Sequence, residues 1–303
     1  MAVSPDAGLI AFARREATRD LTGVDLAVVG IPFDATTNPP GARDGSRAVR
    51  EQSLFVGQYP WGHWPWEFNL AERVRMVDWG DVTPTASWAG GPQRMVADVR
   101  AAVGGIVGQS VSVLGLGGDH VVSYPLVAAT AERHGQLSLV HFDAHSDTWD
   151  RGDELDHASV FRHAARAGWV APERSIQIGM RTPNPDGCGY TVVDADTLLD
   201  RPLEVTIAEI RSVVGDHPVY VTIDIDFLDP SVAPGTGTPV VGGPNAREAR
   251  TLLRGLAGLH IVGADLVEVS PELDTPGALT ALTGATLALD LAHLLALARR
   301  KAA

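Results

Sequence analysis

The sequence predicts an α/β protein with three layers, α/β/α, built around a mostly parallel eight-stranded sheet. Short runs of β-branched and apolar residues recur along the chain, and segments compatible with helices separate them. This alternation is typical of βαβ units, whose parallel sheet is covered on both faces. In such a sheet ligands bind beyond the carboxyl ends of the strands, so polar residues at those ends are the first candidates for a functional site.

The predicted strands are the short apolar runs. They cover residues 26–30, 74–77, 111–116, 137–142, 175–179, 190–193, 219–225 and 261–269. Segments between them, such as 93–106 and 205–214, have the apolar spacing of amphipathic helices. The most apolar late stretch, 278–296, contains Asp290 and His293, so we expect a buried helix there rather than a membrane span.

The length of the chain bounds its domain organisation. At 303 residues it is near the size at which one α/β core stops growing, which allows one large domain or two small ones. No linker rich in Ser, Pro or Gly and no block of charge divides the sequence. We therefore expect a single domain over residues 1–303.

Composition excludes several classes of function. A formal net charge of -13 argues against nucleic acid, whose phosphates need clustered Lys and Arg. Cys188 is the only cysteine, so neither an intrachain disulfide nor a multi-thiolate zinc site can form, and a reducing cytoplasm is expected. The first twenty residues do not resemble a secretory signal, and no membrane association is expected.

Carboxylates and imidazoles follow three of the predicted strands. Residues 137–142 lead into Asp143, His145 and Asp147, and residues 111–116 are followed by His120. The third set, Asp224 and Asp226, ends the run 219–225, and strand alternation is expected to turn both carboxylates to the same side. All six side chains are thus predicted at one edge of the sheet.

These six residues together predict a metal centre, although each cluster alone is also consistent with helix capping or a core histidine. Carboxylates about 4 Å apart repel by ~4 kcal/mol per pair at an effective dielectric of ~20, so cations or protons must be bound if the clusters meet. Four aspartates and two histidines exceed what one four- to six-coordinate ion comfortably uses, and bridging carboxylates would hold two ions roughly 3.5 to 4 Å apart. Oxygen-rich ligation with imidazole favours Mn²⁺, with Ni²⁺, Co²⁺ or Fe²⁺ as substitutes, and implies hydrolysis by an activated water.

The motifs that carry these residues resemble those of the ureohydrolases, the group of arginase, agmatinase, guanidinobutyrase and formimidoylglutamase. The resemblance runs through most of the chain and is strongest in the segments 117–120, 141–147, 224–230, 233–239 and 267–271. Segments 177–182 and 280–286 are most similar to bacterial agmatinases. The resemblance implies an arginase-like fold and hydrolysis of a guanidino compound to urea and an amine, with agmatine, which would give putrescine, as the leading substrate.

The resemblance also implies roles for individual residues. It assigns one Mn²⁺ to His120, Asp143, Asp147 and Asp224, and the other to Asp143, His145, Asp224 and Asp226. It implies that Glu268 binds the guanidinium group and that His157 takes part in proton transfer to the leaving amine. Ala158-Ser159 departs from the family pattern beside His157. His141, two residues before Asp143, is interpreted as a hydrogen-bonding residue and not as a ligand.

Two other segments leave alternatives open. The loop 35–45, with Asn38-Pro39-Pro40 and Asp44, differs from a typical agmatinase, so guanidinobutyrate, another guanidino acid, guanidine or a biguanide remain alternative substrates. Aromatic residues are dense in 59–68, which is typical of a subunit interface, with substrate gating as the less favoured reading. The resemblance implies a homo-oligomer, a trimer or hexamer. A noncatalytic metal-binding homologue is the remaining alternative function.

Overall fold

The computed structural model describes residues 10–57, 63–82, 88, 91–184 and 186–299. Within them, nine strands form one sheet in which every pairing is parallel. The strands are β1 (Glu16–Ala17), β2 (Leu26–Gly30), β3 (Met76–Asp81), β4 (Ser112–Leu116), β5 (Ser138–Phe142), β6 (Ile176–Met180), β7 (Thr191–Asp194), β8 (Val219–Asp224) and β9 (Ile261–Val267). Their order across the sheet is β1-β3-β2-β4-β9-β8-β5-β6-β7.

Helices cover both faces of this sheet. They are α1 (Gly45–Val56), α2 (Leu70–Arg73), α3 (Pro92–Val107), α4 (Ser123–His134), α5 (Val160–Arg166), α6 (Ala195–Leu199), α7 (Leu203–Val214), α8 (Ala246–Gly255) and α9 (Leu279–Ala298). Apolar side chains from α1, α7, α8 and α9 pack into one core, and those from α3, α4 and α5 pack into a second. The three-layer α/β/α prediction is therefore confirmed.

The number of strands differs from the prediction, because the edge strand β1 is a ninth. Its two residues are exposed and carry no apolar pattern, so no run marked it. Strand β3 also extends further than predicted and includes Asp78 and Asp81. The buried guanidinium group of Arg50 neutralises this acidic end, with Nε 2.8 Å from Asp78 Oδ2 and Nη1 2.6 Å from Asp81 Oδ1.

The long apolar helix α9 is part of the core. Among the described residues it is the one helix long and apolar enough to cross a membrane, yet most of it is buried inside the protein. It packs on α1 and on β9, and its Asp290 accepts hydrogen bonds from the side chains of Trp66 and Arg250. This arrangement agrees with the predicted buried helix, because the charged Asp290 finds hydrogen-bond partners within the protein.

Strands β4, β9, β8 and β5 lie next to one another in the middle of the sheet. All four run in the same direction, so the residues that follow them collect at one edge. That edge carries the polar segments singled out in the sequence.

Candidate active site

Four central strands place the predicted site residues together. Strand β4 is followed by a 3-10 turn that begins at His120, β5 leads directly into Asp143, and β8 ends at Asp224. Strand β9 leads into Glu268. All four side chains are almost fully buried, so their charges interact with little screening by solvent.

The first group of candidate ligands surrounds the ring of His120. Its Nδ1 atom lies 2.8 Å from Asp147 Oδ2, 3.1 Å from Asp143 Oδ2 and 3.4 Å from Asp224 Oδ2. None of these contacts has hydrogen-bond geometry, so Nδ1 is a buried polar atom without a hydrogen-bond partner. Carboxylate oxygens that converge on an unpartnered imidazole nitrogen form the donor set that a divalent cation needs.

The second group forms around His145. Its Nδ1 atom is 3.0 Å from Asp226 Oδ2 and 3.5 Å from Asp143 Oδ1. Asp143 thus lies between the two imidazoles, with one oxygen directed to each. Ligand atoms of His120, His141, Asp143 and Asp147 lie within 4.8 Å of one another, and so do those of Asp143, His145 and Asp226. Asp143 is common to both sets.

Asp224 and Asp226 reach the site in a way that strand alternation did not predict. Strand β8 ends at Asp224, and Asp226 lies in a 3-10 turn, so the expected period of two does not apply to this pair. The turn folds back instead, and the Asp224 carboxylate accepts a hydrogen bond from the Asp226 backbone N–H at 2.8 Å. Asp226 Oδ2, the oxygen that lies 3.0 Å from His145 Nδ1, accepts from Thr238 Oγ1 at 3.1 Å. Asp226 Oδ1 accepts from the Ala144 backbone N–H at 3.1 Å, and these contacts fix the orientation of the carboxylate.

Two site residues have left-handed backbone conformations. Asp147 has φ 51° and Glu268 has φ 63°, values that residues with a Cβ rarely adopt and that cost about 1 to 3 kcal/mol each. The conformation at Glu268 explains why β9 ends two residues earlier than predicted. Nearby, Gly118 lets β4 approach the 33–36 segment, since a Cβ there would lie 1.7 Å from the carbonyl oxygen of Phe33.

The electrostatics of the cluster fit a bound cation. Burial and the negative charges of Asp226 and Asp143 raise the pKa of Asp224 well above its usual value. Although burial lowers the pKa of His145, the carboxylates of Asp143 and Asp226 beside its ring outweigh that effect and raise it to about 12. Both pKa shifts mean that the cluster favours bound protons, because its carboxylates repel one another. Divalent ions would supply this positive charge in place of protons. The residues present therefore fit a divalent metal centre.

His141 lies against this cluster, but both of its ring nitrogens already have hydrogen-bond partners. The Gln177 side-chain amide nitrogen donates to the Ser146 carbonyl at 2.6 Å and lies 3.0 Å from His141 Nδ1, so Nδ1 accepts. The other ring nitrogen, Nε2, then carries the hydrogen and donates to Asp143 Oδ2 at 2.7 Å. His141 orients a carboxylate of the cluster, and its own lone pair is directed away from it.

Glu268 has a carboxylate oxygen available for a ligand. Its Oε1 atom accepts from the His120 backbone N–H at 2.8 Å and lies 3.5 Å from Thr37 Oγ1. Its Oε2 atom is buried without a hydrogen-bond partner. Because burial and the charges of Asp224 and Asp119 raise the pKa of Glu268 well above its usual value, a cationic ligand would interact strongly with this side chain.

His157 lies at the start of the 3-10 turn before α5 and is half-buried. Its backbone N–H donates to Thr36 Oγ1 at 3.2 Å, and the same hydroxyl lies 3.4 Å from the ring atom Nδ1. Thr36 in turn donates to Asp119 Oδ2 from its hydroxyl at 2.7 Å and from its backbone N–H at 2.9 Å. These contacts connect the loop 35–45 to the predicted proton-transfer residue.

Several residues of this environment were not singled out for a role from the sequence. They are Thr36, Asp119, Gln177, Tyr220, Thr222 and Asp265. For Tyr220 and Thr222 a signal was present: both share the alternation of Asp224 within the buried strand β8, where an apolar residue would be expected. The partners of the others depend on contacts distant in sequence, which no local pattern reveals.

The aromatic segment 59–68 is described only in part, because Tyr59 and Trp61 lie outside the described residues. Trp66 stacks on the ring of His293, with ring centroids 5.2 Å apart, and is thus packed within the subunit. Trp64, by contrast, is 83% exposed. An interface role therefore remains a prediction for the exposed part of this segment.

Comparison with known proteins identifies the family. The profile of the arginase family matches residues 24–293. The chain belongs to the arginase family. It is 45% identical to an agmatinase from Proteus mirabilis over 273 residues, which cover 89% of this chain and 87% of that protein. The predicted ureohydrolase resemblance is confirmed, and the chain is a ureohydrolase, an enzyme that acts on linear amidines.

Two solved structures of the arginase family extend the comparison. A crystal structure of a hypothetical agmatinase from Burkholderia thailandensis is 40% identical, with a TM-score of 0.91 over 97% of this chain and 92% of that one. Proclavaminate amidino hydrolase from Streptomyces clavuligerus is 34% identical, with a TM-score of 0.88 over 98% and 100% of the two chains. The arginase fold, a divalent metal centre and a small guanidino substrate follow from this membership together with the cluster described above.

Proposed function

We propose that this ureohydrolase is an agmatinase that hydrolyses agmatine to putrescine and urea with two Mn²⁺ ions. The observation that carries the proposal is the unpartnered Oε2 of Glu268, buried beside the carboxylate and imidazole cluster. A guanidinium group supplies the positive charge and the N–H donors that this carboxylate lacks. The agmatinase from Proteus mirabilis, 45% identical, supports agmatine as the substrate.

The proposed ligands divide into two overlapping sets. His120, Asp143, Asp147 and Asp224 would hold one ion, and Asp143, His145, Asp224 and Asp226 would hold the other. The convergence of three carboxylates on His120 Nδ1 and of two on His145 Nδ1 supports this division. When bound, the ions supply Lewis acidity and lower the pKa of a water molecule so that it can attack at neutral pH.

The surrounding residues orient the substrate and move a proton. Glu268 would accept two parallel N–H bonds from the planar guanidinium and direct its central carbon toward the metal ligands. His157 would deliver a proton to the departing amine, with its backbone anchored by Thr36. Glu268 and the cluster beside it are almost fully buried, so solvent screens each of these charged contacts only weakly.

We expect agmatine to be the best substrate in a urea-release assay with added Mn²⁺. The panel should include agmatine, guanidinobutyrate, arginine, guanidine and a biguanide at equal concentrations, and kcat/KM should be highest for agmatine. The metal-free protein, prepared with a chelator, is the control and should release no urea. A higher kcat/KM for guanidinobutyrate would contradict the assignment of agmatine as the substrate but would be consistent with ureohydrolase activity.

A guanidino acid is the second candidate substrate. The full-length match to proclavaminate amidino hydrolase favours it, and so does the loop 35–45, which differs from a typical agmatinase. In this loop the guanidinium group of Arg43 is paired with Asp34, with Nε 2.7 Å from Oδ1, so the cation is already neutralised. That pairing reduces the attraction of this loop for a substrate carboxylate. Agmatine, which has no carboxylate, is therefore the favoured substrate.

The protein is also proposed to form a homo-oligomer, a trimer or hexamer, in the cytoplasm. The exposed Trp64 and Phe55, which are 83% and 63% exposed, support an apolar contact surface. Size-exclusion chromatography with light scattering should therefore give a mass of three or six times 32.0 kDa. A monomeric mass at assay concentrations would contradict the proposal.

A further inference from the structure

Three polar side chains lie buried in the middle of the sheet, behind the candidate metal centre. Tyr220 and Thr222 belong to β8 and Asp265 to β9, and each is at most 1% exposed. Thr222 and Asp265 are direct register partners on the neighbouring strands. Their side chains lie on the same face and form a continuous chain of hydrogen bonds that ends at the ring of His120.

The direction of each hydrogen bond in this chain can be assigned from its chemistry. Tyr220 donates its hydroxyl hydrogen to Asp265 Oδ2 at 2.8 Å, and Thr222 donates to Asp265 Oδ1 at 2.5 Å. Burial and the neighbouring Asp265 raise the pKa of Tyr220 well above its usual value, so its hydroxyl keeps the hydrogen that it donates. A threonine hydroxyl has a single hydrogen, so Thr222 Oγ1 can only accept from His120 Nε2, 2.9 Å away.

A glycine makes room for this chain. Tyr220 lies opposite Gly263 in the register of β8 and β9. A Cβ atom at position 263 would lie 2.8 Å from Tyr220 Cε2, closer than a real contact allows. The absence of a side chain lets the Tyr220 ring cross the neighbouring strand and reach Asp265, two residues further on.

We propose that Asp265, acting through Thr222, fixes the tautomer of His120 so that Nε2 carries the hydrogen and Nδ1 presents its lone pair to a divalent cation. The opposite tautomer would place a hydrogen on Nδ1, toward the ion. Asp265 and Thr222 are thus positioning residues for metal binding. The inference rests on the proposed function in one respect, the role of His120 as a ligand.

Thr222→Val and Thr222→Ser form the first matched pair of test variants. Valine keeps the shape of threonine but removes the acceptor of His120 Nε2–H, whereas serine keeps the hydroxyl. Titration of the full-length metal-free protein with Mn²⁺, followed by the electron paramagnetic resonance of free Mn²⁺, measures the affinity. Thr222→Val should weaken Mn²⁺ binding at the site that includes His120 by about 10- to 100-fold, the usual effect of losing such a partner, and Thr222→Ser should retain most of the affinity.

A double-variant cycle tests the direction of the chain. In Tyr220→Phe, Asp265 still accepts from Thr222, so the loss should be small. In Asp265→Asn, the new amide N–H can donate to the Tyr220 oxygen. The amide oxygen can then still accept from Thr222, so the loss of Mn²⁺ affinity should be partial. In the combined variant the amide N–H loses the Tyr220 oxygen as an acceptor and can donate to Thr222, which reverses the chain and favours Nδ1–H. The combined loss of Mn²⁺ affinity should therefore exceed the product of the two single losses.

The outcomes separate this inference from the proposed function. Thermal unfolding without metal shows which variants are folded. If Asp265→Asn is unfolded, the comparison of Thr222→Val with Thr222→Ser is the test of the inference. A parent protein that binds two Mn²⁺ ions while Thr222→Val and Thr222→Ser bind them equally well would overturn the inference only. The inference would also be overturned if the loss of Mn²⁺ affinity in the combined variant equals the product of the losses in the two single variants. A parent that binds no Mn²⁺ would overturn both the inference and the metal assignment.

Discussion

Replacing Glu268 with Gln is expected to lower kcat/KM for the guanidino substrate by on the order of 100- to 1,000-fold, the usual cost of removing one preorganised electrostatic partner. The amide keeps the shape of the side chain but loses the charge and one acceptor for the guanidinium fork. Glu268 is not among the proposed ligands, so metal analysis of the variant should still find both ions. Urea release measures the first effect and elemental analysis the second.

Two controls make the result for Glu268→Gln specific. Because burial and negative neighbours raise the pKa of Glu268, the neutral Gln should not lower the unfolding temperature of the metal-free protein. His157→Asn should also keep both ions but slow turnover by about 10²-fold or more, the scale of general acid-base catalysis, with a changed pH profile. If Glu268→Gln loses a metal or turns over at the parent rate, the guanidinium assignment fails and the ureohydrolase class remains.

Asp143→Asn and Asp224→Asn are expected to abolish activity and to lower Mn²⁺ content to one ion per chain or fewer, because each carboxylate is proposed to serve both ions. Asp143 also accepts from His141 Nε2 and from the His145 backbone N–H, so its loss disturbs the orientation of neighbouring groups. Asp226→Asn should be less damaging, since Asp226 belongs only to the candidate ligand set around His145 and is proposed to serve one ion. Urea release and metal content measured together test the order.

The comparison among these three aspartates has a clear counter-result. Equal losses of metal in all three variants would mean that neither Asp143 nor Asp224 bridges two ions. An active parent enzyme that contains a single ion per chain would contradict the binuclear proposal itself. Only the second result would leave the buried histidine and aspartate cluster as a mononuclear centre.

The sequence was sufficient to predict the site residues that directly follow strands. Asp143, Asp147 and His120 lie after apolar runs, and parallel strands bring the ends of such runs to one edge. Asp226 was expected at the same edge for the wrong reason, since strand alternation was applied beyond the end of β8. The turn that brings it there depends on the hydrogen bond of its own backbone to Asp224, which the periodicity of the sequence does not encode.

Strand order and register were the parts of the fold beyond prediction. Tyr220 and Asp265 are 45 residues apart in the chain and meet only because β8 and β9 are neighbours in the sheet. The edge strand β1 was not predicted from the sequence, because its two residues are exposed and show no apolar pattern. They form a strand by pairing with β3 and not by burial. Local pattern predicts which segments are strands, whereas these features depend on which strands become neighbours.

The central position of β9 has a consequence for biosynthesis. Strands β1 to β4 form one side of the sheet, β5 to β8 form the other, and β9 lies between them although it leaves the ribosome after all of them. His120 belongs to the first side, whereas Asp143 and Asp224 belong to the second. A nascent chain that ends before β9 therefore holds the candidate ligands in two separate pieces. We therefore expect the proposed metal centre to assemble only after β9 has been synthesised, because β9 joins the two sides of the sheet.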